Sequence, residues 1–503
     1  MSSSLRRLAG IALALLLIAA VFARAGLTRR WVANLGQADT ERVELRVWDW
    51  WSASTNEEYG YYFAAVEAEF EARNPDIDVV YQVVPFGNYV QKLATAMVGD
   101  TPPDVFQSSV YWAEGFHHRG MLRPLDDLLE ADPALPGTPA YVGESAFLPS
   151  AWQHNYTTDP ATGLTVVYGI PQIIDASCLL WNLDILQAAA AEDDEIRALF
   201  QRHADGSIDW ARIRWDGIEN WEHFRRLTRK LTVRDEDGDV TQAGFLLSAS
   251  SGAGLFSPWL AANGGRFQDA TGSKAMFASP SGIETVEFIA RLYWVDRVCP
   301  PFRRQMTDAE MFKERRAAVV AAGTWSGKDI TRDTMGWTHF GKTAFPAGPS
   351  GSGPSTVTWG NMLVITRRCE NVDAAWRYLK FVGGLEGSLL RSLHLGYNGP
   401  RFDFYATDRW QEALQERPYL SNVKQICLAG DKLRHTEIIA VDHQANPIVE
   451  SVLLHYPEIL AGEGPYPSVE SAMQTAQINV DNVYRRYNEQ VQNWLSLRNR
   501  EAQ

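Results

Sequence analysis

The spacing of apolar residues changes along the chain from a period of two to a period of three or four. Val43, Leu45 and Val47 alternate with charged residues, which is typical of a strand, and the apolar residues that follow recur as on one face of a helix. The succession continues, with predicted strand at 43–47, helix at 59–70, strand at 79–84, helix at 89–97 and strand from 104 onward. This order predicts a parallel sheet covered by helices.

Ligands of such sheets bind beyond the carboxyl ends of the strands. That rule points to Asp49–Ser52 and Ser108–Trp112 as loops of a binding site. The pattern extends into the C-terminal half, with strands predicted near 165–170, 177–181, 317–321 and 362–366 and helices near 221–231, 283–293 and 374–382. The chain is therefore predicted to be α/β throughout.

The N-terminus has the features of an export signal. Arg6 and Arg7 precede 15 uncharged residues, Leu8–Phe22, and the pattern Ala23-Arg24-Ala25 follows. That run is shorter than the roughly 20 residues that a membrane-spanning helix needs. We predict a signal peptide over residues 1–25 and a periplasmic mature protein. The alternative is an uncleaved membrane anchor, because two further arginines follow at positions 29 and 30.

Composition excludes one class of partner and favours one kind of contact. The 503 residues include 61 acidic and 47 basic side chains, for a formal net charge of −14. Such a chain repels phosphate backbones, so we expect no nucleic-acid partner. The 18 tryptophans equal the tyrosines in number, and indole rings offer large flat faces on which a ligand can stack.

The cysteines and histidines indicate no metal site. Four cysteines, at positions 178, 299, 369 and 427, could form two disulfides in three connectivities, but none has a metal-binding spacing. Cys178 lies in an apolar run, which is typical of a buried thiol. His117 and His118 are interpreted as solvated helix residues. We predict neither a metal nor a cofactor.

One segment, Gly336–Thr343, matches the phosphate-binding loop pattern letter for letter. That chemistry needs a strand before the loop and a helix after it, whose N-terminal amides contact the phosphates. Neither is predicted, because the preceding residues are polar and prolines follow. We interpret the segment as a strand ending in a turn, with Lys342 solvated, and predict that this chain binds no ATP.

A series of short segments follows one another in a recognisable order. They are Val47-Trp48, Pro102–Phe106, Gly120–Leu125, Tyr168–Pro171, Leu179–Asp184, Asn220–Phe224, Trp259 with Gly264-Gly265, Ser279–Ile283, Phe312–Trp325, Trp359–Ile365 and Ala374–Phe381. In this order they resemble the extracellular solute-binding proteins of ABC importers, in the carbohydrate-binding family that includes maltose-binding protein. The resemblance covers nearly the whole mature length.

The resemblance implies an α/β, two-lobed periplasmic-binding-protein fold. Each lobe is a mostly parallel sheet covered by helices, and a hinge of several strands joins the lobes. By similarity, lobe one comprises residues 43–170 and 362–382, and lobe two comprises residues 171–360 and 383–503. The ligand then lies in the cleft between the lobes, where contacts to both lobes stabilise the closed state.

The resemblance also implies which residues contact the ligand. By position these are Trp50, Trp51, Ser52, Ser108, Ser109, Tyr111, Asp175, Gly254, Leu255, Phe256, Trp325, Trp359, Gly360, Arg401 and Tyr466. The chemistry agrees for Asp175 and Trp325, because carboxylates accept hydrogen bonds from sugar hydroxyls and indole covers the apolar face of a pyranose. Since Trp50 and Trp51 are consecutive, their side chains point in opposite directions and at most one stacks well.

These features predict a binding protein rather than an enzyme. We expect the substrate-binding component of an ABC-type importer, a monomer that captures a sugar or polyol and delivers it to a membrane permease. Two alternatives stay open. An aromatic cage with carboxylates also suits a betaine-like cation, and the many carboxylates would allow a secreted glycosidase.

Overall fold

The computed structural model describes residues 42–51, 56–99, 101–158, 164–247, 256–269, 274–300, 308–432 and 444–501. The predicted signal peptide lies outside these residues. Within them, no helix combines the length and the apolar character needed to cross a membrane.

Strands and helices alternate through most of the described chain. The strands are β1 Val43–Trp51, β2 Ile77–Pro85, β3 Val105–Ser109, β4 Tyr156–Thr158, β5 Thr165–Val167, β6 Ile170–Asn182, β7 Phe200–Arg202, β8 Ile208–Ile213, β9 Val233–Arg234, β10 Val240–Gln242, β11 Val319–Gly323, β12 Phe340–Thr343, β13 Thr356–Ile365 and β14 Gly430–Lys432. The helices are α1 Asn56–Arg73, α2 Phe86–Val98, α3 Val110–His118, α4 Asp126–Glu130, α5 Pro149–Trp152, α6 Leu183–Ala189, α7 Asp194–Arg197, α8 Trp221–Lys230, α9 Ser257–Ala262, α10 Pro280–Trp294, α11 Asp308–Lys313, α12 Ser326–Asp333, α13 Val372–Gly383, α14 Leu385–Leu395, α15 Asp408–Glu416, α16 Val423–Leu428, α17 Asn446–Leu454, α18 Tyr456–Leu460 and α19 Val469–Glu501.

Eight of these strands form the main sheet. Its order is β11-β6-β13-β3-β1-β2, with β12 also paired to β6 and β14 to β13. Strands β1, β2 and β3 pair in parallel, as the sequence predicted. The longer strands β6 and β13 are antiparallel to each other; β13 is antiparallel to β3, and β11 and β12 are antiparallel to β6.

Strand β6 runs from one hydrophobic core into another. Ile170, at its start, packs with Leu45 of β1, whereas Leu179 and Trp181, near its end, pack in a second core with helices α8 to α10. Strand β13 lies beside β6 and brings Leu363 into the first core. Two lobes joined by a hinge of several strands, the predicted architecture, are therefore confirmed.

Helix α14 packs with the core of lobe one, whereas the resemblance implied that its residues belong to lobe two. The sequence-based division places residues 383–503 in lobe two. Leu390 and Leu395 of α14 nevertheless pack in the first core, because α14 lies against α1. We therefore propose that lobe one extends to the end of α14.

The C-terminal helix α19 contacts both lobes. Its first half contributes Met473 and Tyr484 to the second core, and farther along it contacts α3 of lobe one. There the ring of Tyr487 lies 6.3 Å from that of His118. His117 and His118 are each only 8 % exposed, so the prediction that they are solvated is wrong.

The cysteines lie in the protein interior. Cys178, predicted to be a buried thiol, is fully buried, and so is Cys427. Loss of solvent raises the pKa of the Cys178 thiol to about 12. Such thiols stay protonated at neutral pH and act as small apolar side chains.

Candidate functional site

Two tryptophans from different segments of the chain meet where the lobes join. Trp325 follows β11 at the start of α12, and Trp359 lies within β13. Their ring centroids are 5.1 Å apart, the rings are inclined by 54°, and both side chains are partly exposed. The ring of Trp325 folds back over Gly323, where a Cβ atom would lie 1.8 Å from it, so only glycine fits there. The pair therefore presents indole surface that a ligand could contact.

Asp175 lies beside this pair. It is opposite Trp359 in the register between β6 and β13, so both side chains project from the same face of the sheet. The Thr324 hydroxyl and the Asn398 amide donate to its Oδ1 atom at 3.0 and 3.1 Å. Among the described residues, no donor reaches Oδ2. Asp175 thus has one oxygen bound to the protein and one available to a ligand.

Burial changes the pKa of Asp175. The residue is 4 % exposed, and loss of solvent raises the pKa of its carboxyl group to about 7. The hydrogen bonds from Thr324 and Asn398 and the positive charges of Lys342 and Arg391 oppose this rise in the pKa. The carboxyl group therefore titrates close to neutral pH.

Lys342, in the segment that matches a phosphate-binding loop, is buried. It lies in β12, which pairs with β6, and it is 1 % exposed, so its interpretation as a solvated residue is wrong. Its ammonium group donates to the Thr324 carbonyl at 2.8 Å and lies 5.0 Å from the centroid of the Tyr419 ring. Burial lowers the pKa of Lys342 to about 8. The Gly-Lys-Thr run forms a paired strand, which is not the geometry of a phosphate-binding loop.

A second aromatic group lies at the carboxyl end of the parallel strands. The Trp50 ring makes edge contacts with Phe86, Tyr89 and Trp112, at centroid distances of 5.8, 5.1 and 5.4 Å. Trp50 itself is 7 % exposed, whereas Phe86 is 50 % exposed and Trp112 partly so. Trp359 packs against the same cluster. Trp359 therefore connects the Trp325–Trp359 pair to the apolar cluster around Trp50.

A buried ion pair lies in lobe one, next to Trp50. Asp49, next to Trp50 in β1, is 3.6 Å from the guanidinium of Arg391, and both are almost fully buried. Arg391 also donates to Gln107 Oε1 and, at 3.3 Å, to the Tyr62 hydroxyl. Burial raises the pKa of Asp49 to about 6, although the Arg391 charge opposes this. Arg391 therefore connects the ends of β1 and β3, through Asp49 and Gln107.

Three of the implied ligand contacts are enclosed in the structure. Ser108 and Ser109 are 0 % and 5 % exposed, and the Ser108 hydroxyl donates to the Ser109 carbonyl. Phe256 is fully buried in the second core. In this structure these side chains contribute to packing.

Arg401 is likewise a buried structural residue, with 1 % exposure. Its guanidinium donates twice to Asp403, at 2.8 and 2.7 Å, and to the Tyr141 carbonyl at 2.7 Å. It also lies 5.5 Å from the centroid of the Phe147 ring. Protein partners therefore occupy the groups that a ligand would need, so the implied contact to Arg401 is not supported.

Of the remaining implied contacts, Gly360 and Tyr466 are described by the structure. Gly360 is buried next to Trp359, and a Cβ atom there would lie 2.4 Å from the Ile173 carbonyl, so glycine permits the close approach of β13 to β6. Tyr466 packs partly buried against the second core. Ser52, Gly254 and Leu255, together with the side chains of Trp51 and Tyr111, lie outside the described residues.

Sequence reasoning missed several residues that the structure places at the site. Phe86 directly follows β2, so the rule about carboxyl ends of strands could have identified it, as that rule did for Trp112 in the predicted loop Ser108–Trp112. Thr324 precedes Trp325, and its role depends on a side-chain contact that no spacing reveals. Asn398 follows the left-handed Gly396 at the end of α14, and that turn brings it to β6.

The site combines aromatic surface with a carboxylate acceptor. Partly exposed rings of Trp325 and Trp359 can cover C–H groups, and Asp175 can accept hydrogen bonds from hydroxyls. Across the described ranges, no three His, Cys, Asp or Glu side chains gather in a way that could hold a metal ion. The chemistry of these side chains suits binding.

The fold and the sequence both match those of known binding proteins. Among solved structures, MalE of Xanthomonas citri, a sugar-binding protein, is 18 % identical, with a TM-score of 0.66 over 89 % of this chain and 98 % of that one. The cyclic α-maltosyl-1,6-maltose binding protein of Arthrobacter globiformis is 17 % identical, with a TM-score of 0.64 over 88 % of this chain and all of that one (100 %). The GacH receptor of Streptomyces glaucescens, solved free and with acarbose, is 20 % identical, with a TM-score of 0.60 over 89 % and 99 %.

These structural similarities show that the chain shares the fold of those proteins. A family model described as bacterial extracellular solute-binding protein matches residues 52–387, which is more than half of the 503 residues. That match includes β6 and β13, which carry Asp175 and Trp359, and it includes Trp325 at the start of α12. The chain therefore belongs to the family of bacterial extracellular solute-binding proteins.

Proposed function

We propose that the chain is the substrate-binding component of an ABC-type importer and binds a sugar or a related polyhydroxylated solute between its lobes. The observation that carries this proposal is the placement of Trp325, Trp359 and Asp175 together at the junction of the lobes. A pyranose has an apolar C–H face and a rim of hydroxyls. The indoles suit the first and the free carboxylate oxygen suits the second.

The similar structures support the same class of ligand. Two of them bind oligosaccharides or their analogues by name, and MalE of Xanthomonas citri is a sugar-binding protein. This chain has an aromatic surface at Phe86 and Trp112 next to the proposed site. We infer that lobe one contacts the sugar mainly through ring faces, and lobe two through Trp325.

The family and the sequence together support export. We propose that residues 1–25 are removed, that the mature protein acts as a monomer in the periplasm, and that it delivers its ligand to a membrane permease rather than transforming it. Mass analysis of the mature protein should then find Gly26 at its N-terminus. An intact segment 1–25 in the membrane fraction would instead favour the uncleaved anchor.

A thermal-shift screen tests the choice of ligand. The mature protein is heated with maltose, maltotriose, mannobiose, tagatose, acarbose or glycine betaine in turn. A ligand present at 100 times its Kd adds about 2.7 kcal/mol of stability. We expect stabilisation by at least one sugar in the wild type and in Trp294→Ala, which removes an exposed tryptophan of α10, but not in Trp325→Ala. Stabilisation by betaine alone, or hydrolysis of a glycoside, would contradict the proposal.

A further inference from the structure

A buried ammonium group lies next to the proposed ligand site. Lys342 is 1 % exposed, and removing a charged group from water is costly unless the charge is compensated. The described residues give it one hydrogen-bond acceptor, the Thr324 carbonyl at 2.8 Å, and one aromatic face, that of Tyr419. A methionine would fill similar space without this cost. The charge of Lys342 therefore needs an explanation other than packing.

Thr324 connects Lys342 to Asp175. Its carbonyl accepts from Lys342, and its hydroxyl donates to Asp175 Oδ1 at 3.0 Å. Ala176 holds it in place, because the Thr324 N–H donates to the Ala176 carbonyl at 2.9 Å and the Ala176 N–H donates to the Thr324 hydroxyl at 3.1 Å. Trp325 is the next residue along the chain. A group that fixes Thr324 thus also fixes the point from which the indole projects.

Other charged and titratable groups face Asp175 from the elements around it. They are Lys342 on β12, Arg391 on α14, Cys178 on β6, Cys427 on α16, and the tyrosines Tyr397 and Tyr405. The two cations differ in their other partners. Arg391 lies 3.6 Å from Asp49, which carries a charge of its own to balance that of the guanidinium. Lys342 has no carboxylate within ion-pair distance among the described residues, and of the groups that act on it electrostatically, Cys178, Asp175 and Cys427, only Asp175 is a carboxylic acid.

We propose that Lys342 is a positioning residue of the sugar site: its buried charge favours the ionised form of Asp175, and its hydrogen bond to Thr324 fixes the backbone position from which Trp325 projects. The ligand class in this statement rests on the proposed function. The coupling between Lys342 and Asp175 does not, because it exists in the unliganded protein. Affinity then depends on pH through a side chain that does not itself contact the ligand.

The coupling can be measured without any ligand. The carboxyl carbon of Asp175 is followed by ¹³C NMR against pH in the wild type, in Lys342→Met and in Lys424→Met, and is assigned with Asp175→Asn. Lys424 is a matched control, because its ammonium also lies over an aromatic ring, that of Tyr405, but it is partly exposed. We expect the same midpoint in wild type and Lys424→Met. We expect a midpoint about one pH unit higher, or more, in Lys342→Met, because the ionised carboxylate loses its cation. An unchanged midpoint in Lys342→Met would overturn the proposal.

A second variant covers the case in which Lys342→Met does not fold. In Asp175→Asn the pKa of Lys342, followed through its side-chain resonances, should fall by a comparable amount, because an interaction between two sites acts equally on both. An unchanged pKa of Lys342 would overturn the proposal just as clearly.

Binding of maltotriose, measured by calorimetry between pH 5 and 9, then tests the link to the site. We expect affinity to decline at a higher pH in Lys342→Met than in the wild type and in Lys424→Met. A purely structural role would lower Tm without moving this midpoint, and that result would overturn the proposal. Absence of maltotriose binding to the wild type would count against this sugar as the ligand, while the NMR midpoints would still decide the coupling.

Discussion

The indole of Trp325 lies 5.1 Å from that of Trp359, centroid to centroid, at an inclination of 54°. Trp359 lies in β13, whereas Trp325 lies between β11 and α12, and each ring is partly exposed. Rings that are inclined in this way do not stack flat on each other, so each keeps surface for a third partner. The pair is therefore the part of the protein where aromatic contact with a ligand should matter most.

Replacement of Trp325 by alanine should weaken sugar binding strongly. Loss of a large aromatic anchor costs about 2–4 kcal/mol, which is roughly 30- to 700-fold in Kd. Titration calorimetry with the sugar found in the screen measures the effect. Because Trp325 is partly exposed, the Tm of the unliganded variant should stay close to that of Trp294→Ala. A large fall in Tm with unchanged affinity would mean that Trp325 is a core residue.

Asp175→Asn should separate stability from binding. The pKa of Asp175 is raised to about 7, so its ionised form destabilises the folded state; this cost is absent below about pH 4 and complete above pH 7. At pH 8 the unliganded variant should thus be more stable than the wild type by up to about 4 kcal/mol, and at pH 4 the two should be equal. Urea unfolding at both pH values measures this.

The same substitution should weaken sugar binding by about 1–3 kcal/mol at pH 8, because an amide makes no charge-assisted bond. Below pH 7 the wild-type affinity should fall toward that of the variant. Equal affinity at pH 8 would contradict the role of Asp175 as a hydroxyl acceptor.

Gly360→Ala should destabilise the hinge. The added Cβ atom would lie 2.4 Å from the Ile173 carbonyl, so β13 must move away from β6, and such overpacking typically costs about 1–3 kcal/mol. Gly353→Ala is a matched control in the neighbouring loop, where a Cβ atom would meet nothing within 4 Å. Chemical denaturation should show a lower midpoint for the first variant alone. Equal midpoints would show that the two strands can separate at no cost.

Arg391→Met should be strongly destabilising, and a second change should restore part of the loss. Arg391 is 1 % exposed, and its removal leaves the Asp49 carboxylate buried without its cation, which typically costs about 3–5 kcal/mol. In the double variant with Asp49→Asn the buried charge is gone. We expect urea unfolding to place the double variant above Arg391→Met alone. A double variant of equal or lower stability would show that the charge pair is not what the single change disrupts.

The sequence predicted the fold more accurately than it predicted the surroundings of individual side chains. Alternation of strands and helices fixed the parallel strands, and the order of short segments indicated two lobes. Ser108 and Ser109 were assigned to the site from their position, but both are buried. Burial of a strand's side chain depends on what packs against that face of the sheet, and this information is not local in the sequence.

Lys342 shows the same limit most clearly. Its neighbours in sequence are polar or small, and the run resembles a turn or a nucleotide loop. Its environment is set by Thr324, Tyr419 and β6, which lie between 18 and more than 160 positions away in the chain. Asp175 and Trp325, in contrast, could be assigned because each follows a segment that the family resemblance identifies.

The pairing of Asp175 with Trp359 has a consequence for the order of events in binding. Both residues lie on the strands that join the lobes, and backbone bonds hold those strands together. When the lobes rotate toward each other, these two side chains therefore keep nearly the same separation, whereas the aromatic groups at Phe86 and Trp112 travel with lobe one. A solute can dock on the hinge while the cleft is still open, and closure then only adds contacts. The association rate should accordingly be high and independent of closure, whereas the lifetime of the complex should depend on how long the cleft stays closed.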